Sequence, residues 1–357
     1  MQPLKVLSFG AGAIGTYIGG SLALAGHRVV FLEQPTTAAE LQTRGLKLDL
    51  SAYKRRGENA VFTVPTGTIA FVSSLDEAFS LGSYDVMLFA LKSFDTPTVL
   101  KSFNEYQSSN IASFPPILCL QNGVDNEPAI AAALGADKVI YGTVTSAIGR
   151  RGAGDIVLEK LRGVGVADGH SLSGRLVQAL EGAYLNAKLY PNGPDMKWSK
   201  LLTNLIANPT SAILNMTAAQ VFADPRLYKL EIMQLQECLA VMQAQGIHVV
   251  DLPGTPVQAL ALATRLPLWL SKPFLSKAAG AGRGAKMPSF HIDLYSGRGS
   301  SEVNYLHGAV VRAGEKFGVP TPVNKLLTET LLDLTAKKIP LDMFAGQPEK
   351  LLQKLEW

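Results

Sequence analysis

Three glycines near the start of the chain have the spacing of a phosphate-binding turn. They lie in the run from Gly10 to Gly15, which reads G-A-G-A-I-G. An apolar stretch of strand length, Leu4 to Phe9, leads into this run, and a helix-like stretch, Ala13 to Ala25, follows it. Strand, glycine turn and helix in this order are typical of a unit that binds a dinucleotide, whereas the glycines alone would fit any tight turn of an α/β domain.

Each glycine of this run has a separate role in such a unit. Gly10 permits the tight turn, Gly12 lets backbone N–H groups approach a pyrophosphate, and Gly15 lets the helix pack closely on its strand. The phosphates would bind at the positive end of the helix, where N–H donors point outward. The residues between the glycines belong to the same predicted cofactor site: Ala11, Ala13 and Ile14.

The end of the second predicted strand, Arg28 to Glu33, bears on the kind of cofactor. An acid at this place accepts hydrogen bonds from the two ribose hydroxyls of the adenosine. Glu33 would repel a 2′-phosphate, and the next residue, Gln34, is not the arginine that would attract one. The motif therefore favours NAD(H), although Arg55 or Arg56 could still reach a phosphate.

Two further apolar runs end in polar residues suited to a ligand site. Asp85 to Leu91 is followed by Lys92, and Pro116 to Leu120 is followed by Gln121 and Asn122. Nearly continuous apolar runs are typical of parallel strands that helices cover on both faces. Ligands of open α/β sheets bind at the carboxyl ends of the strands, so Lys92 and Asn122 are predicted at the cofactor edge. A surface lysine and a turn asparagine are the alternative.

A polar stripe marks a predicted helix in the second half of the chain, Met196 to Ala212. Lys200, Asn204 and Asn208 are four residues apart and so lie on one face of this apolar helix. Polar side chains in such a setting need partners, unless the stripe faces solvent. Pro209 would kink the helix and open room for a ligand.

The elements that must hold these residues fall into two groups along the chain. With 357 residues the chain exceeds the usual size of a single core, which predicts two domains. A dense run of breakers, Pro191 to Pro194, separates strand-rich from helix-rich sequence. We therefore predict an α/β fold, with a Rossmann-type, mostly parallel sheet over residues 1–191 for the cofactor and an all-α domain over residues 192–357 for the substrate.

Composition excludes several classes of protein. The net charge of +4, from 33 basic and 29 acidic residues, is too mild to indicate a nucleic-acid partner. The chain does not open on a charged leader, and the apolar stretch Leu260 to Leu275 is interrupted by prolines and charges, so no membrane segment is expected. The two cysteines lie far apart in apolar surroundings, as in a reducing compartment, and the five histidines lack the spacing of metal ligands. We expect a cytoplasmic protein without a metal.

With these residues in place, the chain resembles the ketopantoate (2-dehydropantoate) reductase family, within the 6-phosphogluconate-dehydrogenase-like enzymes. The similarity covers nearly the whole chain and depends on several blocks in a fixed order. The blocks are G-A-G-A-I-G at 10–15, L-K at 91–92, Q-N-G-V at 121–124, W-x-K-L-x-x-N-x-x-x-N-P at 198–209, and S-F-x-x-D, G-R and S-E-V between 289 and 303.

The resemblance implies that NAD(P)H reduces the ketone of a 2-oxo acid, with ketopantoate, which yields pantoate for pantothenate biosynthesis, as the family's substrate. Lys200 matches the general acid that protonates the alkoxide as it forms, a role suited to a cation where negative charge develops. Glu302 matches the carboxylate that accepts a hydrogen bond from a substrate hydroxyl. The other matched residues are expected to hold the ligands: Asn204, Asn208 and Ser289 the substrate, Lys92 the nicotinamide and its ribose, and Asn122 both.

Departures from the family pattern leave the substrate and the cofactor open. Glu33 and Gln34 stand where many members have a basic residue for NADP(H), the family default. Asn304 stands where the family usually has aspartate, and the segment 251–287 is longer than in short members. A different 2-oxo or 3-hydroxy acid is therefore the alternative substrate, while a non-catalytic nucleotide-binding protein is disfavoured by the presence of both predicted catalytic residues. A homodimer could form through an apolar face of the C-terminal helix, which core packing would explain equally well.

Overall fold

The computed structural model describes residues 2–53, 60–109, 114–283 and 286–355. Arg55 and Arg56, named above as phosphate contacts, lie outside the described residues. The chain divides into two units: the first comprises Met1–Gln121, Asn126–Lys197 and Leu252–Thr255, and the second comprises Asn122–Asp125, Trp198–Asp251 and Pro256–Trp357. The short segment Asn122–Asp125 thus groups with the second unit, although it directly follows sequence of the first.

Strands and helices alternate along the first unit. Its strands are β1 (Lys5–Phe9), β2 (Arg28–Leu32), β3 (Leu46–Asp49), β4 (Val61–Val64), β5 (Ile69–Val72), β6 (Val86–Phe89), β7 (Ile117–Cys119), β8 (Val139–Val144), β9 (Ala147–Gly152), β10 (Asp155–Lys160), β11 (Val164–Ala167) and β12 (Ala187–Tyr190). Its helices are α1 (Ala13–Leu24), α2 (Pro35–Arg44), α3 (Leu75–Ser80), α4 (Thr96–Ser109), α5 (Asn126–Leu134) and α6 (Ser173–Gly182).

The larger sheet of the first unit has the strand order β12-β11-β8-β7-β6-β1-β2-β5. All neighbouring strands in it run parallel except β8 and β11, which pair antiparallel. The prediction of a Rossmann-type, mostly parallel sheet is confirmed.

Alternate residues of the central strands enter two separate apolar clusters. Val6 and Leu88 belong to one cluster, while Leu7 and Met87 belong to the other. Because successive side chains of a strand point to opposite faces, both faces of the sheet are covered. Burial on both sides explains why β6 is apolar throughout, and it leaves the strand ends as the exposed places for ligand groups.

A second sheet, with the order β4-β3-β10-β9, was not predicted from the sequence. It joins two hairpins, β3–β4 and β9–β10, through parallel pairing of β3 with β10. The sheet packs on α1, where the leucine side chain of β3 occupies the space that a Cβ atom on Gly20 would need. The turn between β9 and β10 also reaches the glycine turn, since the Gly154 N–H donates to the Ala11 carbonyl oxygen at 3.0 Å.

The described residues of the second unit form helices and no strands. One helix, α7 (Gly193–Leu205), begins in the first unit and ends in the second. The other helices are α8 (Asn208–Leu214), α9 (Ala218–Ala223), α10 (Pro225–Ala244), α11 (Val257–Ala263), α12 (Leu268–Arg283), α13 (Ser289–Tyr295), α14 (Val303–Phe317), α15 (Pro322–Thr335) and α16 (Pro348–Leu352).

The predicted single helix from Met196 to Ala212 is wrong, because α7 ends before α8 begins. Ala207 separates them in the left-handed region, with φ 51° and ψ 12°. Its N–H donates to the Glu231 carboxylate at 2.7 Å instead of continuing the helical ladder. Pro209 lies in the first turn of α8, where its missing N–H costs little, so it helps to start a helix and does not kink one.

Two expectations from composition can be compared with the described residues. Both cysteine side chains, Cys119 and Cys238, are free and buried. None of the helices in the described ranges combines the length and apolar character required to cross a bilayer.

Candidate functional site

The glycine turn of the first unit has the backbone geometry that the motif predicts. Gly10 lies at φ +90°, a region that other residues rarely adopt. A Cβ atom on Gly15 would lie only 2.0 Å from the Gly10 carbonyl oxygen. Both positions therefore require glycine for the turn itself, whatever it binds.

Gly12 differs from these two because its backbone conformation is ordinary. It lies at φ −68° and ψ −171° at the start of α1, and among the described residues no atom beyond its own chain neighbours lies within 4 Å of a Cβ atom built there. Open space beside a helix N-terminus suits a phosphate that must approach the backbone closely. The residues present therefore fit a dinucleotide.

Glu33, which follows β2, contacts the glycine turn directly. Its carboxylate accepts a hydrogen bond from the Ala11 N–H and another from the Gln34 N–H, the latter at 3.2 Å. The acid that the sequence predicts to meet the adenosine ribose is thus fixed beside the turn.

Lys92 follows β6 and is partly buried. Its backbone is held by Gln121, whose Nε2 donates to the carbonyl oxygens of Leu91 at 3.2 Å and Lys92 at 3.3 Å. The same amide donates to Thr96 Oγ1 at 2.9 Å. Gln121 was not predicted as a site residue, although its place at the end of a buried strand and next to Asn122 was a usable signal.

Four predicted site residues form a continuous polar series within the second unit, which we call the amide series: Asn122, Asn204, Asn208 and Ser289. Asn204 Nδ2 donates to Asn122 Oδ1 at 3.1 Å, and Asn208 Nδ2 donates to the Asn204 carbonyl oxygen at 3.1 Å. Asn208 Nδ2 also lies 3.4 Å from the Ser289 hydroxyl. Residues from three distant parts of the sequence are therefore adjacent, and the polar stripe of α7 has partners.

Lys200 lies one helical turn before Asn204 on α7 and is partly buried. Residues four apart on a helix share a face, so the ammonium and the Asn204 amide belong to the same side of α7. Trp198 and Leu201, which flank Lys200 in sequence, are buried. This setting restricts water around part of the lysine while leaving the side chain accessible.

Glu302 is buried and immediately precedes α14. The positive end of a helix stabilises a carboxylate placed there. Asn304, which departs from the family pattern, is exposed and accepts a hydrogen bond from Arg312 at 3.0 Å. Arg312 also forms an ion pair with Asp125 at 2.5 Å. Asn304 is neutral, so the negative charge beside Arg312 comes from Asp125, in the segment that carries Asn122.

A buried ion pair in the first unit escaped the sequence analysis. Lys197 Nζ lies 2.7 Å from Glu127 Oε1 and donates to the carbonyl oxygens of Gln121 at 2.6 Å and Gly142 at 3.2 Å. Burial alone would lower the pKa of Lys197, but the Glu127 carboxylate keeps that pKa above its usual value. The lysine is therefore a charged anchor for the first half of α7, and its sequence context, next to Trp198, gave no sign of its partner.

Two relatives that resemble the chain along almost its whole length are named 2-dehydropantoate 2-reductase. The 2-dehydropantoate 2-reductase of Archaeoglobus fulgidus is 27% identical over 332 residues, which cover 92% of this chain and 96% of the relative. That of Halobacterium salinarum is 21% identical over 337 residues, covering 91% and 97%.

Solved structures share the fold. A ketopantoate reductase of the PanE/ApbA family from Ralstonia eutropha superposes with a TM-score of 0.76 at 24% identity, covering 94% of this chain and 99% of that one. D-mandelate dehydrogenase in complex with NADH and anilino(oxo)acetate gives a TM-score of 0.72 at 20% identity, covering 93% and 99%.

Two family models match consecutive parts of the chain. The model described as Ketopantoate reductase PanE/ApbA matches residues 6–168, and the model described as Ketopantoate reductase PanE/ApbA C terminal matches residues 194–334. The first match includes the glycine turn and the second includes α7, α8 and α14. The resemblance inferred from the ordered motifs is thereby confirmed: the chain belongs to the ketopantoate reductase family.

Proposed function

We propose that this chain is an NAD(P)H-dependent reductase that converts the ketone of a 2-oxo acid into an alcohol, with ketopantoate as the favoured substrate. The observation that carries the proposal is the amide series, because its hydrogen bonds bring polar groups from separate segments together next to the helical turn of Lys200. Such convergence is typical of a site that orients a small polar ligand. Family membership supplies the reaction class.

Lys200 is proposed as the general acid. When bound, the reduced nicotinamide supplies a hydride to the carbonyl carbon, and the electron pair of the carbonyl π bond moves to oxygen. The Lys200 ammonium donates its proton to that oxygen, becomes a neutral amine and recovers a proton from water. A cation at this place stabilises the charge that develops on oxygen, so it favours the transition state over the bound ketone.

The other residues are proposed to hold the two ligands. In the first unit, the backbone at Gly12 and the Lys92 side chain would receive the cofactor, and Glu33 would accept from its ribose hydroxyls. In the second unit, Ser289 would bind the substrate carboxylate and Glu302 would accept from a substrate hydroxyl, as expected for the pantoate side chain. The asparagines of the amide series would orient the remaining polar atoms.

Ketopantoate-dependent oxidation of NADPH and of NADH by the purified protein, measured side by side, tests this proposal. We expect saturable turnover with at least one cofactor, and the ratio of the two kcat/KM values gives the preference. Turnover with neither cofactor, for ketopantoate and for other 2-oxo acids alike, would exclude the proposed reaction.

A different 2-oxo acid is the second candidate substrate. The observation that favours it is the similarity in fold to D-mandelate dehydrogenase, together with the long segment 251–287 that precedes Ser289. Benzoylformate, the 2-oxo acid that corresponds to mandelate, should be assayed in parallel. A kcat/KM for benzoylformate well above that for ketopantoate would assign the chain to aryl substrates and retain the proposed chemistry.

A further inference from the structure

The break between α7 and α8 determines how the amide series is presented. Asn204 lies at the end of α7 and Asn208 opens α8, so the conformation of the residues between them sets the relation of the two amides. Ala207 lies in the left-handed region at φ 51°, which is unfavourable for a residue with a Cβ atom. This conformation must therefore be stabilised by contacts elsewhere in the fold.

Glu231, in the middle of α10, provides these contacts. Its carboxylate accepts from the Ala207 N–H at 2.7 Å, from Thr210 Oγ1 at 2.6 Å and from Gln234 Nε2 at 2.6 Å. The side chain is fully buried. Hydrogen bonds to a buried carboxylate are short and strong, and they fix the donors in place.

The same network continues to α14 and α13. Gln234 Oε1 lies 2.9 Å from His307 Nε2, and His307 lies in the helix that starts directly after Glu302. The His307 ring packs edge-on against Phe290, with ring centroids 6.0 Å apart. The Phe290 N–H, next to Ser289, donates to Asn208 Oδ1 at 3.1 Å.

We propose that Glu231, Gln234 and His307 form a positioning network that holds the substrate-binding side chains in register. The network contacts α8, α13 and α14, which carry or directly follow the proposed substrate groups Asn208, Ser289 and Glu302. None of the three network members is itself proposed to touch the substrate. The inference rests on the proposed 2-oxo acid reduction.

The chain offers a matched control for Glu231 on the same helix. Glu237, also in α10, accepts from the backbone N–H groups of Val323 at 2.8 Å and Asn324 at 2.9 Å, and from Asn324 Nδ2 at 2.7 Å. It thus holds the start of α15 through hydrogen bonds to a carboxylate, as Glu231 holds Ala207 and Thr210. Glu231→Gln removes a fully buried carboxylate of α10, and Glu237→Gln removes a partly buried one. Glu231 contacts Ala207 and Thr210 directly, whereas Glu237 is linked to the network through Asn324, whose Nδ2 also donates to the Gln234 carbonyl oxygen at 3.0 Å.

Steady-state kinetics and thermal unfolding of the two variants test the proposal. Both substitutions should lower Tm. Glu231→Gln should raise KM for the 2-oxo acid by about tenfold, the loss expected for a charge-assisted hydrogen bond, with a smaller change in kcat and none in the cofactor KM. Lys200 lies within α7, before the break between α7 and α8, so its position should change little. We therefore expect kcat to change less than the substrate KM.

Two results would overturn the positioning role. One is an unchanged substrate KM in Glu231→Gln despite a lower Tm; the other is an equal rise of KM in Glu237→Gln, which would show that destabilisation alone is responsible. If the unaltered protein does not reduce any 2-oxo acid, it is the proposed function that fails.

Thr210 provides a milder pair of variants if Glu231→Gln does not fold. Thr210→Val keeps the shape of the buried side chain and removes its donor to Glu231, whereas Thr210→Ser keeps the donor. The proposal predicts a raised substrate KM for Thr210→Val and recovery of the original KM in Thr210→Ser. Identical KM values in the two variants would contradict it.

Discussion

The two units present their proposed ligand groups in different ways. In the first unit, the proposed cofactor site consists chiefly of backbone: the open approach at Gly12 and the N-terminus of α1. In the second unit, the proposed substrate site consists of side chains, namely the amide series and Lys200. Ligand binding by backbone groups requires glycine at particular positions. Ligand binding by side chains requires each functional group and the residues that hold it in place.

The helix α7 carries two lysines in different surroundings. Lys197, in the first half of α7, is buried and forms an ion pair with Glu127, so its charge stabilises the contact of α7 with α5. Lys200, three residues later, is only partly buried and belongs to the side of the helix that carries Asn204. Lys197 and Lys200 are thus the same residue type, close in sequence, but in different surroundings. Such surroundings determine whether a lysine is suited to proton transfer.

The largest effect should come from the glycine turn. Gly15→Ala places a Cβ atom 2.0 Å from the Gly10 carbonyl oxygen, so it should lower the free energy of unfolding by about 3 kcal/mol and abolish cofactor binding. Gly12→Ala meets no described atom, so it should leave stability unchanged and weaken cofactor binding by at least about tenfold. Urea denaturation and fluorescence titration with NAD(P)H measure the two quantities. Normal cofactor affinity in Gly12→Ala would contradict the proposal that a cofactor phosphate approaches the backbone at Gly12.

A substitution at Asn208, the buried member of the amide series, should change substrate affinity and leave cofactor affinity unchanged. Asn208→Ala removes the donor to the Asn204 carbonyl oxygen and the acceptor of the Phe290 N–H. Their loss should lower the free energy of unfolding, and the substitution also removes the amide that is proposed to bind the substrate. A hydrogen bond to a charged substrate contributes about 2 kcal/mol, so KM for the 2-oxo acid should rise by about 30-fold. Initial rates at varied substrate and at varied cofactor separate the two KM values. An equal rise of both would mean that the side-chain site is not confined to the second unit.

The buried polar support of the second unit should be sensitive to acid. Burial lowers the pKa of His307 to about 3, whereas an unfolded histidine titrates near 6.5. As the pH falls below about 6.5, the unfolded chain binds a proton that the native protein does not, so native stability decreases. Between pH 7 and pH 5 the loss should be about 2 kcal/mol, and it should be absent in His307→Gln. Urea denaturation of both proteins at the two pH values measures it, and equal losses in both would contradict the assignment.

The smallest effect is expected at Glu33, whose charged side chain contacts the glycine turn. Glu33→Gln keeps an oxygen for the Ala11 N–H and removes the charge near the expected 2′-phosphate. The ratio of kcat/KM for NADPH to that for NADH should rise by about fivefold. An unchanged ratio would place the adenosine ribose away from this carboxylate.

The sequence predicted best what local patterns encode. The glycine turn, the strands around it and the parallel sheet follow from short apolar runs and from glycine spacing, and the structure confirms them. The end of α7 could not be predicted, because its cause is the Glu231 carboxylate on a different helix. The second sheet was missed for a similar reason, since β3 pairs with β10 from a distant part of the chain.

The candidate site shows the same division. The residue types of Lys200, Asn204 and Asn208 were visible as a stripe, but the contact of Asn204 with Asn122 and that of Asn208 with Ser289 depend on tertiary structure. The roles of these residues came from the family resemblance and remain predictions. Lys197 and Glu231 had no sequence signal, because a buried charge is recognised only from its partners.

The most direct test of the central claim is the single-turnover rate of ketopantoate reduction in Lys200→Met, with cofactor and substrate saturating. The account predicts that the variant folds, binds the cofactor normally and reduces the ketone about a thousandfold more slowly, with no recovery in Lys200→Arg, whose guanidinium keeps the charge but does not release a proton. A single-turnover rate equal to that of the unaltered protein would contradict the proposed role of Lys200.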